Sequence, residues 1–122
     1  MKLLCVDDDR VNALLFEQVC LLVGGIELQC VENGAEAESL AADWAPDLLV
    51  IDLHLPDTDG CALLPRLRAA AGRVDLPAVL CTAEEAATIE ARARVAGFAQ
   101  VWTKPVVLDE LQAAVRRLRG AA

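Results

Sequence analysis

Aromatic side chains are nearly missing from this chain: there is no tyrosine, and aromatic residues make up 3% of the sequence although the hydrophobic share is 56%. A core without large rings must be built from Leu, Val and Ala, which suits helices packed on a buried sheet. Basic residues are also scarce, and the net charge of -8 argues against direct binding to nucleic acid or to an anionic membrane, because a phosphate-rich surface would be repelled unless a local basic patch met it. The one basic cluster, Arg116, Arg117 and Arg119, stands at the C-terminal end, where favourable interaction with a helix dipole accounts for it. No apolar run is long enough to span a membrane. The opening Met1-Lys2-Leu3-Leu4-Cys5 looks like the start of a lipoprotein signal, but Asp7, Asp8 and Asp9 follow at once and the apolar run is too short for a signal core. A soluble, cytoplasmic protein is expected. The five cysteines, Cys5, Cys20, Cys30, Cys61 and Cys81, are odd in number, lie in apolar runs and show no Cys-x-x-Cys spacing, so they read as reduced core residues rather than disulfides or zinc ligands. No linker, repeat or low-complexity segment interrupts the chain. Its 122 residues predict one domain, 1–122, with no output domain of its own.

What is present is organised around Asp47 to Gly60. Four apolar residues, Leu48 to Ile51, are followed directly by Asp52 and then by a loop punctuated with Pro56 and Gly60. A continuous apolar run bounded by turn residues predicts a strand buried on both faces, with Asp52 at its carboxyl end. In open α/β sheets that edge is where ligands bind.

The rest of the chain alternates strand and helix. Leu3 to Val6 is a short strand, and a helix begins near Arg10 with Leu15, Phe16, Val19, Leu22 and Val23 available for one face. Leu14 and Leu21 exceed what one buried face needs; they read as part of a Leu-rich core helix, with an exposed docking face for a partner helix as the alternative. Gly24 and Gly25 stop the helix, Ile26 to Val31 is a strand, and Asn33-Gly34 turns into a helix from Ala35 to about Trp44, ended by Pro46. After the central strand come a helix over Cys61 to Ala71 with Pro65 in its first turn or so, a strand over Ala78 to Cys81, an Ala-rich helix over Glu84 to Ala96, a strand over Ala99 to Trp102, and a helix from about Val107 to Arg119. That last helix places Leu108, Leu111, Val115 and Leu118 on one face. The alternation predicts an α/β fold: a doubly wound, five-stranded parallel sheet of order 2-1-3-4-5, flavodoxin-like, covered by five helices.

In that order the first and third strands are neighbours, which brings Asp7, Asp8 and Asp52 to one crevice. Carboxylates so placed repel by roughly 4 kcal/mol per close pair at a surface-like dielectric, so a positive charge belongs there. A hard cation with oxygen ligands suits the site, which suggests Mg²⁺. Lys104, at the end of the fifth strand, adds a fixed charge in a chain whose only other lysine is Lys2. Metal and lysine beside a central carboxylate equip the site for phosphoryl transfer onto Asp52, which is ionised at neutral pH and needs no activating base. Thr82 ends the fourth strand, either to donate its hydroxyl to a new phosphoryl oxygen or simply to cap the next helix.

These residues, Val6 to Asn12, Asp52 to Gly60, Cys81 to Ala83 and Thr103 to Pro105, together make the chain resemble a response-regulator receiver domain of two-component signalling. The resemblance covers the whole chain. It implies that Asp52 accepts a phosphoryl group from a phosphohistidine on a sensor histidine kinase or a histidine phosphotransfer protein, and passes the signal to a downstream protein target. It implies that Asp8 and Asp52 bind Mg²⁺ directly with the backbone carbonyl of His54, that Asp7 acts largely through a metal-bound water, that Lys104 pairs with the phosphoryl group, and that Thr82 moves towards it. The resemblance further implies that Ala83 is small where the phosphoryl group needs access and that His54 and Glu84 line the route of the hydrolytic water, so these two are expected to set the lifetime of the phosphorylated state. The expected activity is limited to the domain's own phosphorylation and dephosphorylation.

One position departs from the pattern. The family usually carries an aromatic residue three positions before the lysine, coupled to the threonine; here Val101 stands there, and alternation turns the adjacent Trp102 to the other face. A receiver-fold scaffold that docks partners without being phosphorylated is therefore the competing expectation. A flavodoxin fits poorly, because three aspartates would repel the phosphate its first loop must cradle, and an aspartate-dependent hydrolase is disfavoured because its central acid follows the third strand, its acid pair follows the first, and no cap insertion is present.

Overall fold

The computed structural model describes residues 1–120. Its elements run β1 (Lys2–Val6), α1 (Arg10–Val23), β2 (Glu27–Val31), α2 (Gly34–Trp44), β3 (Leu48–Asp52), α3 (Gly60–Ala71), β4 (Ala78–Thr82), α4 (Ala86–Ala96), β5 (Gln100–Thr103) and α5 (Leu108–Gly120). The strands form one parallel sheet in the order β2-β1-β3-β4-β5. β1 lies between β2 and β3, so the winding direction reverses at β1 and the crevice opens there.

β3 and β4 are buried at every position, as their unbroken apolar runs require of strands covered on both faces. One layer packs α2, α3 and α4 against Leu4, Val6, Leu49, Ile51 and Leu80. The other packs α1 and α5 against Leu3, Cys5, Val50, Val79 and Trp102. Leu111 and Val115 anchor α5 there, with Leu118 packed against them, as the helical spacing predicted; Leu108, expected on the same face, is half-buried and lies outside that cluster. Of the basic cluster, Arg116 and Arg117 are exposed, and the side chain of Arg119 lies outside the described residues.

Several boundaries and faces differ from expectation. The buried stripe of α1 is Asn12, Phe16 and Cys20, with Val19 and Val23 packed beside it; Leu15 and Leu22 are exposed instead. With Val11, Leu14 and Leu21 they make an apolar outer face exposed by 50–71%, so the Leu-rich core reading of Leu14 and Leu21 gives way to the exposed face. The cause is geometric: residues four apart define the inner stripe, and the leucines fall one position off it (Leu15, Leu21) or two (Leu14, Leu22). Pro65 sits inside α3 beyond the first turn, and α4 begins at Ala86 rather than Glu84, with Glu85 at its N-cap and no side-chain capping bond. Glu is a poor capping residue, and the segment from Ala83 to Glu85 stays as a loop over the sheet edge. Cysteines also divide unexpectedly. Cys5, Cys20 and Cys81 are buried, but Cys61 is half-buried and Cys30 is exposed, because β2 is an edge strand.

Candidate functional site

The strand ends are aligned by register. Val6 of β1 pairs with Ile51 of β3, and Asp52 pairs with Cys81 of β4, so Asp7 and Asp52 emerge side by side. Thr82 pairs with Thr103 of β5, and the Lys104 N–H donates to the Thr82 carbonyl at 2.8 Å, which holds Lys104 against the same edge. The Lys104–Pro105 peptide is cis.

Asp7, Asp8 and Asp52 each bring a carboxylate oxygen within 4.8 Å of the others; among the described residues this is the one acidic group close enough to share a cation. Asp7 and Asp52 are buried and Asp8 faces solvent. An all-oxygen set open on one side fits a hard divalent cation that keeps some of its water, such as Mg²⁺. The Lys104 ammonium lies 3.0 Å from Asp7 Oδ2 and 3.2 Å from Asp52 Oδ2. Lys2, the other lysine, is occupied at the far edge of the sheet by the Trp44 carbonyl and ring.

These contacts compete with dehydration. Burial pushes the Asp52 carboxyl above its ordinary pKa; Lys104 pulls it down and Asp7 pushes it up again, leaving it raised. Burial also works against the Lys104 charge, but the hydrogen bond to Asp7 and the Asp52 charge outweigh it, and the ammonium holds its proton more tightly than usual. A carboxylate whose charge is disfavoured by burial and by a neighbouring acid is one that an added cation would stabilise.

Thr82 is buried, and its Oγ1 accepts the Glu84 N–H at 3.1 Å. It does not cap α4, whose N-cap is Glu85, so the capping role is set aside. Ala83 is exposed and leaves the edge open above Thr82. His54 Nε2 and Glu84 Oε1 meet at 2.7 Å across the mouth of the site, and this hydrogen bond, against slight burial, raises the His54 pKa. Val101 is half-buried against the α4 layer, opposite Leu80, while Trp102 is buried in the α1 and α5 layer. The alternation expected for this pair holds.

Residues without an assigned role also build the site. Asn12 Nδ2 donates to Asp7 Oδ2 at 2.5 Å, and the Asp9 N–H donates to Asp7 Oδ1 at 2.9 Å, so Asp7 is oriented from both oxygens. An amide at four-residue spacing from Phe16 and Cys20, in a stripe otherwise apolar, was the available signal for Asn12. Asp59 caps α3 through the Cys61 N–H at 2.7 Å and pairs with Arg92 of α4. Asp57 accepts the Gly34 and Ala35 N–H groups at the start of α2, at 2.8 and 3.0 Å, which ties the loop after β3 to that helix. At Gly60 a Cβ would collide with the Asp52 carbonyl oxygen, so only glycine lets α3 start this close to the site.

A family model described as the response regulator receiver domain matches residues 3–116. Among curated proteins the chain is similar to the transcriptional regulatory protein KdpE of Mycobacterium tuberculosis, 35% identical over all of this chain and 54% of that protein. It is also similar to the virulence transcriptional regulatory protein PhoP of Salmonella typhimurium, 34% identical over all of this chain and 55% of that protein. The chain thus spans about half the length of these relatives. Among solved structures it is similar to the receiver domain of the sensor histidine kinase PA1611 from Pseudomonas aeruginosa, described with a magnesium ion coordinated in the active-site cleft (TM-score 0.84, 26% identity, 98% of this chain and 97% of that one). A two-component response regulator from Clostridium difficile is similar at TM-score 0.85, with 25% identity over 98% of this chain and 96% of that one. Among the described residues no helix is long and apolar enough to cross a membrane.

Proposed function

Since the chain belongs to the response regulator receiver family of two-component signal transduction, we propose that it works as a phosphoacceptor, with residues 1–122 as one receiver domain and Asp52 as the group that is phosphorylated. The observation that carries this reading is the placement of a buried carboxylate, Asp52, 3.2 Å from a lysine ammonium and within 4.8 Å of two further acids.

The reaction needs little from the protein besides placement and neutral charge. An Asp52 carboxylate oxygen attacks the phosphorus of a phosphohistidine on a sensor kinase or phosphotransfer protein; the P–N bond breaks and its electron pair stays on the donor imidazole. Asp7, Asp8, Asp52 and the His54 carbonyl would hold Mg²⁺, which when bound neutralises the acids and the phosphoryl oxygens. Asn12 and the Asp9 N–H keep Asp7 turned towards that position. Lys104 already spans Asp7 and Asp52 and swings its ammonium to the phosphoryl oxygen as Asp52 becomes an acyl phosphate.

Thr82 then reports the event. Its Oγ1 accepts the Glu84 N–H, and turning the hydroxyl towards the phosphoryl group breaks that bond and frees the loop from Ala83 to Glu85. With Val101 in place of an aromatic residue, this loop is the transmitting element, and the contact from His54 to Glu84 controls both its position and the approach of water to phospho-Asp52. The changed loop alters contacts with a downstream protein; with a net charge of -8, direct nucleic-acid binding is no part of the reading.

The deciding experiment is the intact mass after incubation with acetyl phosphate, with and without Mg²⁺, for wild type and Asp52→Asn. A Mg²⁺-dependent gain of one phosphoryl group, absent in the variant, establishes the acceptor. No gain under any condition makes this a docking module, for which the apolar outer face of α1 and Val101 already speak.

A further inference from the structure

Two cysteines of the α1 side face one another. Cys5 of β1 and Cys30 of β2 are register partners, so their side chains leave the sheet on the same face as neighbours. Neighbouring strands lie about 4.7–4.9 Å apart, inside the range of roughly 4.4–6.8 Å that a disulfide bridges between Cα atoms. The two thiols differ in access. Cys5 is buried and Cys30 is exposed on the edge strand, at the common border of two clefts of about 260 and 380 Å³ between α1 and β2. A small reagent reaches Cys30 and does not reach Cys5.

We propose that Cys5 and Cys30 form a two-electron redox site, in which a hydroperoxide oxidises the accessible Cys30 and the buried Cys5 closes an intrachain disulfide between β1 and β2. In the first step the Cys30 thiolate sulfur attacks a peroxide oxygen, the O–O bond breaks, and the leaving oxygen departs as alcohol, or as water from hydrogen peroxide, leaving Cys30 as sulfenic acid. In the second, the Cys5 sulfur attacks the Cys30 sulfur, the S–O bond breaks, and the hydroxyl leaves as water with the Cys5 proton. Two thiols lose two electrons and two protons, and the hydroperoxide takes up both. The neighbouring Cys5 thiol holds the Cys30 thiol below its ordinary pKa against the cost of dehydration, which favours the reacting thiolate. One exposed half and a strand spacing near the short end of the permitted range make the bridge one that a thiol reductant reopens. Cys20, buried in the same layer and lining the larger cleft with Cys30, is the competing resolving thiol; it lies on the helix rather than in register. The site does not depend on phosphorylation of Asp52.

The test uses the full chain, reduced, desalted, exposed to hydrogen peroxide, then unfolded in N-ethylmaleimide and examined by intact mass and peptide mapping. Of the five thiols, the expected product alkylates three, lacks two hydrogens, contains a Cys5–Cys30 linked peptide and reverts with dithiothreitol. Cys30→Ser, an exposed change whose folding is checked by circular dichroism, loses the linked peptide; Cys20→Ala and Asp52→Asn keep it. Five alkylated cysteines after an exposure that fully oxidises free glutathione would overturn the proposal. So would a bridge mapped to Cys20 and Cys30, or to Cys30 of two copies.

Discussion

Replacing Asp52 by Asn should stabilise the protein in a chelator and destabilise it relative to wild type in Mg²⁺. At an effective dielectric of 20, the 3.2 Å contact with Lys104 gives about 5 kcal/mol of attraction, and an approach to Asp7 within 4.8 Å gives about 3.5 kcal/mol or more of repulsion. Asp8 is exposed, so at the dielectric of water its repulsion over the same distance falls to about 1 kcal/mol. Attraction and repulsion nearly cancel, and dehydration of the Asp52 carboxylate is left without an offset. The sign agrees with the raised pKa of Asp52: the folded state keeps this proton where the unfolded state has lost it, so this residue's contribution declines as pH rises and is a constant deficit at neutral pH. Asn keeps the shape without the charge, and Lys104 retains Asp7 at 3.0 Å. The expected gain in urea unfolding with EDTA is about 1–2 kcal/mol. With free Mg²⁺ at one hundred times its Kd, the wild type gains about 2.7 kcal/mol and Asp52→Asn, lacking one of the three carboxylates, gains far less, so the order inverts. If the variant is less stable than wild type in EDTA by more than about 1 kcal/mol, Asp52 is held by a net-favourable ion pair and the account of a charge-starved crevice is wrong.

Other consequences are as specific. The His54 imidazole should titrate by NMR above its ordinary value near 6.5, because Glu84 accepts its hydrogen bond; the contact is strongest below that value and fades as pH rises through the shifted one, and Glu84→Gln should bring the titration back down. Under the proposed role, His54→Ala and Glu84→Ala each change the lifetime of phospho-Asp52, and unchanged dephosphorylation rates would remove both residues from that role. Leu14→Asp and Leu21→Asp, at positions 60% and 70% exposed, should shift urea stability by no more than about 0.5 kcal/mol, whereas Leu111→Ala, fully buried, should lose about 2–5 kcal/mol. Gly60→Ala should lose about 1–3 kcal/mol or more by pushing backbone against the Asp52 carbonyl, and a neutral result by thermal melting would mean that this turn is not rigid.

Much of the architecture was readable because its signals are local. Apolar runs of four to five residues ending in Asp7, Asp52 and Thr82, spaced by helical stretches that Gly24, Gly72 and Gly97 close, leave few folds besides a parallel sheet with its polar ends on one edge. The faces of α1 were not readable. Its apolar residues are so dense that several stripes satisfy the helical period, and only packing against β1 and α5 selects Asn12, Phe16 and Cys20 over the leucines beside them. Asn12 went unassigned for the same reason: its partner, Asp7, is reached only when the helix is seated.

Element order, the strand that carries Asp52 and the absence of an aromatic residue at Val101 follow from the amino-acid sequence, because each depends on residue type and spacing along the chain. Tertiary structure alone decided that Lys104 bridges Asp7 and Asp52, that His54 meets Glu84, and that Cys5 lies against Cys30. Those contacts depend on which strands are neighbours and in what register: a shift of one residue along β2 would part Cys5 from Cys30, one along β4 would part His54 from Glu84, and one along β5 would move Lys104 off the two acids.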